Sequence, residues 1–150
     1  MATFRDTPYG AFNYQVEIGD GSAEQIRGGF SDVSGLGNEI NYSEYRNGND
    51  KLNTARKVPN TYKQEDVVLK RGVVGDLATF WQWLKATREG RIERRAVVIT
   101  LLDEARNPVL TYKLLNAQAK KWVGPTLAAK GGGEVAMEEI HLTHEGIDIE

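Results

Sequence analysis

Residues 12–18 read Phe12-Asn13-Tyr14-Gln15-Val16-Glu17-Ile18. Phe12, Tyr14, Val16 and Ile18 fall on one side of an extended chain, and Asn13, Gln15 and Glu17 on the other. So regular a period of two predicts a strand with one face in a core and one in water. Gly19-Asp20-Gly21-Ser22 then predicts a turn.

The same reading extends outward. A second strand is expected over 27–33, stopped by Ser34-Gly35-Leu36-Gly37, and a third over 39–45, where Ile40 and Tyr42 alternate with Asn41 and Ser43. Val67 to Gly72 predicts a short strand. Arg95 to Leu102 and Val109 to Asn116 predict a hairpin around the turn 103–108, with Leu110, Tyr112 and Leu114 on one face. Ala119 to Val123 continues as a further strand closed by Gly124-Pro125, and 135–143 alternates Ala136, Ile140 and Leu142 with Glu139, His141 and Thr143.

Between these strands the period changes once. Leu77, Phe80, Trp81 and Leu84 recur at i, i+3, i+4 and i+7, the spacing of one helical face. Asp76 suits the N-cap, Arg88 the C-terminal dipole, and Gly90 a left-handed stop. Trp83 lies off this stripe, which leaves two readings: an exposed indole of no consequence, or an interface anchor. From Arg46 to Asp66 no apolar period is visible, and the expectation is a long inter-strand loop carrying Arg46, Lys51, Arg56, Lys57 and Lys63. Loops of this length are uncommon without a function. The expected class is therefore mainly β (α+β): a small antiparallel barrel or split barrel with one flanking helix and a long inter-strand loop. One domain spans residues 1–150.

Composition narrows the function. The chain has 150 residues, 40% of them hydrophobic and 27% charged, with a net charge of −2. That balance suits a folded chain and not a dedicated nucleic-acid or membrane binder. No cysteine is present, which removes disulfides, thiol nucleophiles and thiolate metal sites. No signal peptide is visible at the start, and no apolar run approaches the roughly 20 residues of a membrane span. Synthesis in a bacterial cytoplasm is the expectation, with no membrane insertion of the monomer.

Chemistry finds no footing. His141 and His144 sit three apart on an expected strand, so they diverge and cannot share an ion; solvent-facing histidines are the alternative. Ser34-Gly35-Leu36-Gly37 lacks the third glycine of a dinucleotide loop, and Lys130-Gly131-Gly132-Gly133 lacks Walker spacing. The adjacent acids Glu138-Glu139 and Asp103-Glu104 diverge on strands, so no carboxylate pair is in place for acid–base work. No catalytic residue, metal, cofactor or specific nucleic-acid sequence recognition is expected. For the loop cations, the choices are a solvated polar loop, phosphate contact, or docking on a protein.

Taken in order, these residues resemble a known family. Phe30-Ser31-Asp32-Val33-Ser34-Gly35-Leu36 follows the first strand, then Glu39, Tyr45-Arg46-Asn47-Gly48, Lys57-Val58-Pro59 and Val68-Leu69-Lys70-Arg71-Gly72. After the Trp-bearing helix come Asn107-Pro108-Val109, Leu115-Asn116-Ala117, Lys121-Trp122-Val123-Gly124-Pro125 and His144-Glu145-Gly146. The series resembles the T4-type phage tail tube proteins, including those of extracellular contractile injection systems, and is more distantly similar to the type VI secretion tube protein. Where that family often has Pro-Gly, this chain has Pro59-Asn60.

The resemblance implies a structural subunit and not an enzyme. It implies hexameric rings stacked into a hollow inner tube, driven through a target envelope by a contracting sheath and carrying cargo in its lumen. Implied partners are further copies of the chain, the sheath protein, baseplate or spike proteins, a terminator, and the cargo. The assembled phage tail or injection particle would be its final location. The long loop would reach the next ring through Arg46, Lys51, Arg56, Lys57 and Lys63, while Asn13, Gln15 and Glu17 would face the lumen. Leu77, Phe80, Trp81, Trp83 and Leu84 would serve helix packing or an interface. The rival readings are a baseplate tube-initiating paralogue, a monomeric ligand-binding β-barrel, and an enzyme for which no residue speaks.

Overall fold

The computed structural model describes residues 5–19, 25–49, 51–52, 54–73, 78–130 and 135–150, and of 25–28 the backbone alone. Among them the chain runs β1 (Tyr14–Gly19), β2 (Gln25–Gly28), β3 (Asp32–Ser34), β4 (Asn38–Tyr45), β5 (Arg56–Gln64), β6 (Val67–Gly72), α1 (Thr79–Arg88), β7 (Arg95–Leu102), β8 (Pro108–Val123), β9 (Met137–Thr143) and β10 (Gly146–Ile149). Every pairing is antiparallel. The strands are ordered β2-β1-β7-β8-β9-β6-β3, β10 joins β8, and β4 and β5 pair only with each other.

β8 is the corner of this architecture. The expected strands 109–116 and 119–123 are one strand of 16 residues. Its first part pairs with β7 and β10 and its second with β9. Between them Asn116 takes φ 49°, and the register against β9 slips between Ala119 and Lys121. Asparagine tolerates the left-handed region, and bulges bend and twist the strand that carries them. Asn116 Nδ2 also donates to Glu145 Oε2 at 2.7 Å, which ties the bend to the turn before β10. One strand thereby serves two layers. Val16, Ile18, Val97, Ile99 and Leu114 enter the core from one, Val67, Leu69, Ile140 and Leu142 from the other, with Phe80 and Trp83 of α1 packed in.

The mainly-β class with one helix is as expected, but the sheet does not close: β2 and β3 stand at the two ends of its path. Among the described residues the fold is thus an open antiparallel sheet, not a closed barrel. The stretch 27–33 divides into the end of β2 and β3, with Phe30 buried between them. Phe12 precedes β1 and is exposed, while Tyr14, Val16 and Ile18 hold the inward face. Burial, reinforced by the charge of Asp32, pushes the Tyr14 phenol up; its hydroxyl donates to Phe30 O at 2.7 Å.

The helix corrects the expected stripe. Asp76 and Leu77, like the 20–22 turn and Gly131-Gly132-Gly133, lie outside the described residues. Ala78 stands at the N-cap and makes no side-chain cap. Phe80, Trp83 and Ala86 are buried and Leu84 packs against the core, whereas Trp81 stays 37% exposed. Trp83, expected near solvent, is 1% exposed. Of the two indoles, the buried one has a hydrogen-bond partner within the fold. Trp83 Nε1 donates to Glu93 O at 2.9 Å, and the Arg95 guanidinium lies 4.6 Å from its ring. Buried indole needs such a partner. At the other end the expected stop is present: Gly90 has φ +91°, its N–H donates to Thr87 O at 3.2 Å, and Arg91 N–H reaches Ala86 O at 2.8 Å.

One core feature has no trace in the apolar pattern. Arg71 on β6 and Glu138 on β9 are register partners, joined at 2.7 Å, with side chains 5% and 2% exposed. Trp122 Nε1 donates to the second oxygen, Glu138 Oε2, at 3.2 Å, and the Arg71 guanidinium sits 4.2 Å from the Phe80 ring centre. Glu139, next along, faces the other way and meets His141 Nε2 at 3.1 Å. Among the described residues no helix is long and apolar enough to cross a membrane.

Candidate assembly interface

The segment expected to be an unstructured loop is a β-ribbon. β4 and β5 pair from Asn38↔Gln64 to Tyr45↔Arg56, with an irregularity between Ile40 and Tyr42. Pro59 hides the strand in the sequence, since proline breaks a ladder unless it sits at an edge. Here β5 has an open edge, and Pro59 stands opposite Tyr42.

Register sorts the ribbon into two faces. Ile40↔Tyr62 and Tyr42↔Pro59 share one face with Glu44↔Lys57; Glu39↔Lys63 and Ser43↔Val58 share the other. The first is largely apolar. The second is cross-linked by polar side chains: Asn60 Nδ2 donates to Ser43 Oγ at 2.8 Å and Asn41 Nδ2 to Thr61 Oγ1 at 3.3 Å. All of β4 is exposed, as is β5 up to its last residue, and Tyr62 is 66% exposed. A two-stranded ribbon is at best marginally stable by itself in water. This one offers both faces and both outer edges to a partner.

Its root is firmly held. Gly35 has φ +84°, and a Cβ there would lie 2.0 Å from Asp66 O. Across the root, Glu65 N–H donates to Gly37 O at 3.4 Å. His144, expected among solvent-facing histidines, is buried: its Nδ1 lies 3.0 Å from Gly146 O and its Nε2 2.9 Å from Glu65 O. It thus links the start of β10 to the corner between β5 and β6. Both its ring nitrogens lie against carbonyl oxygens, and His141 turns its Nε2 to Glu139 instead, so the two histidines do not converge.

The five cations singled out in the sequence are distributed unevenly. Arg56, Lys57 and Lys63 stand on β5, while Arg46 and Lys51 lie in the tip between the strands. Arg46 Nε donates to Leu52 O at 3.0 Å. Lys57 pairs with Glu44, holding that carboxyl below the usual carboxylate range. The apolar residues Ile40, Tyr42, Val58 and Tyr62 are what the cation-centred reading missed, because the irregularity between Ile40 and Tyr42 and the proline at 59 break any period of two along β5.

A second surface lies on the outer face of the β1–β7–β8–β10 layer. Gln15 is exposed and Asn13 and Glu17 are half-buried, opposite the inward residues of β1. Gln15 pairs with Thr100, Thr100 with Thr111, Glu17 with Val98, and Lys113 with Asp148. Lys113 Nζ also bonds Glu150 at 3.0 Å. The layer thus presents a polar face several strands wide.

The family model described as T4-like virus tail tube protein gp19 matches residues 10–148 of this chain. No curated protein sequence matches it significantly. Among solved structures, the fold is similar to a chain of the anti-feeding prophage (AFP) baseplate, 6-fold symmetrised, with TM-score 0.85, 23% identity, and 97% of each chain covered. A chain of the PVC sheath–tube complex in the extended state gives TM-score 0.81 and 22% identity over 95% of this chain and 91% of that one. Hcp1 from Flavobacterium johnsoniae is a more distant match, with TM-score 0.56 and 9% identity over 91% of this chain and 93% of that one.

Proposed function

Because the chain belongs to the T4-like virus tail tube protein family, we propose that it is the inner-tube subunit of a contractile injection particle. Six copies form a ring, rings stack into a hollow tube, and a sheath drives that tube through a target envelope with cargo in its lumen. The further partners are baseplate or spike proteins and a terminator. The protein performs no catalysis; its work is mechanical. Synthesis is in the bacterial cytoplasm, and the assembled particle is its working location.

One observation carries this reading: the β4–β5 ribbon is ordered, rooted and exposed on every side. A fold that maintains such an element in isolation gains its stabilisation from a neighbour. We assign the ribbon, with Arg46, Lys51, Arg56, Lys57 and Lys63, to the contact between rings. The open edges at β2, β3 and β10 suit lateral contacts within a ring, because unpaired strand edges are aggregation-prone unless used or blunted. A head-to-tail contact whose rotation closes gives a ring. Obligate interfaces of this kind bury about 2,000–5,000 Å². Asn13, Gln15 and Glu17, with the polar layer around them, are assigned to the lumen wall.

Negative-stain microscopy of the purified protein tests this. Stacked rings or tubes are expected at high concentration. Single rings that never elongate would favour a baseplate initiator instead, a reading to which the similarity with an AFP baseplate chain lends weight. Monodisperse monomers at every concentration would overturn both.

A further inference from the structure

The tip of the ribbon contains Asn47-Gly48, the chain's one Asn-Gly pair. Glycine has no Cβ, so the backbone nitrogen following an asparagine is least hindered when that next residue is glycine. Here the space is open as well: a Cβ built on Gly48 meets nothing within 4 Å. A third feature is local to this fold. The hydroxyl of Tyr45, the last residue of β4, donates to Asn47 Oδ1 at 2.5 Å. That oxygen is where negative charge grows when Cγ is attacked, and a positioned donor there stabilises the transition state.

We propose that Asn47 is a self-modification site, converted by water to aspartyl and isoaspartyl residues with the Tyr45 hydroxyl as the positioned donor. The Gly48 backbone nitrogen bonds to Asn47 Cγ, and the Cγ–Nδ2 bond breaks. The proton lost from Gly48 nitrogen leaves with Nδ2 as ammonia, and a cyclic imide remains. Water then adds to either imide carbonyl. Opening on one side restores the normal backbone with an aspartate; opening on the other routes the backbone through the side chain and lengthens it by one methylene. No oxidant, metal or second protein is required.

The product places a carboxylate beside Arg46, in the tip that the proposed stacking contact uses. The modification itself does not rest on that assignment, and its readout is separate from tube formation.

The test is incubation of the purified full chain in neutral buffer, followed by mass spectrometry of the peptide spanning residues 47 and 48, with fragmentation that distinguishes isoaspartate. Progressive conversion at Asn47 is expected. Asn60 is the internal comparator, because Thr61 follows it and Ser43 Oγ holds its amide at 2.8 Å; it should remain intact. Gly48→Ala should slow conversion about tenfold by crowding the attacking nitrogen. Tyr45→Phe should slow it about fivefold, the worth of one ordinary hydrogen bond. Conversion at Asn47 no faster than at Asn60, or an unchanged rate in Tyr45→Phe, would overturn the proposal.

Discussion

Arg71 Nε and Glu138 Oε1 are 2.7 Å apart on neighbouring strands, within a core that excludes solvent from both side chains. Trp122 satisfies the remaining carboxylate oxygen. A buried charge left without its partner costs far more than the pair contributes, so the pair and its halves behave differently. Glu138→Leu alone should destabilise by about 3–5 kcal/mol, and the Arg71→Met/Glu138→Leu double variant by clearly less than the two single changes added together. Denaturant melts of the four proteins decide it; simple additivity would show that the pair is not coupled.

Two glycines with similar backbone angles should respond differently to alanine. Gly90 caps α1 in open space, whereas a methyl on Gly35 would strike Asp66 O at 2.0 Å. Gly90→Ala should cost about 1 kcal/mol for the left-handed conformation alone. Gly35→Ala adds a backbone clash and should cost more than about 2 kcal/mol, because the ribbon root must move. Equal losses in melting experiments would count against the root as described.

The two helix tryptophans invert the sequence-based order of importance. Trp83→Ala removes a fully buried indole and should cost about 3–5 kcal/mol. Trp81→Ala removes a half-exposed ring beside Trp122 and Arg88, and should cost about 1 kcal/mol. Thermal melts of both variants provide the comparison.

On the ribbon, Ile40→Ser with Tyr62→Ser should leave the monomer's stability within about 0.5 kcal/mol per site, since both are surface positions. Tube formation should nevertheless be lost. Normal tubes from a normally folded variant would remove the apolar face from the stacking contact.

Arg5 pairs with Glu104 at 2.9 Å, and its hydrogen bond is the main reason the Glu104 carboxyl is lowered to about 2. A depressed folded-state value means the contribution is present above the ordinary carboxylate range and fades as pH falls toward 2. The pair is exposed, so its effect on stability is small. NMR titration should place the Glu104 midpoint near 2 in the native chain. In Arg5→Ala the midpoint should return toward the ordinary value of about 4.3.

Strand β7 and the inward residues of β1 were legible because alternation is local: neighbouring side chains point to opposite faces whatever the rest of the chain does. The Gly90 stop was legible for the same reason. β5 was not, because Pro59 interrupts its pattern and nothing buries either face. The division of labour between Trp81 and Trp83 depends on a carbonyl at Glu93 that only the chain's return path supplies. His144 and Glu138 looked like ordinary polar residues on a strand; their burial depends on Glu65 and Arg71, both distant in sequence.

By itself the sequence determined the mainly-β class, the single helix, the polar face of β1 and the ordered series of short motifs that carries the family resemblance. These are read residue by residue, from side-chain direction and backbone preference. Only the tertiary structure decided that β8 turns between two layers, that a charged pair lies in the core, and that the supposed loop is a rooted ribbon with one apolar face. Those outcomes depend on which distant groups meet, and such meetings are set by strand register and hydrogen-bond satisfaction across the whole fold, for which a linear pattern has no signal.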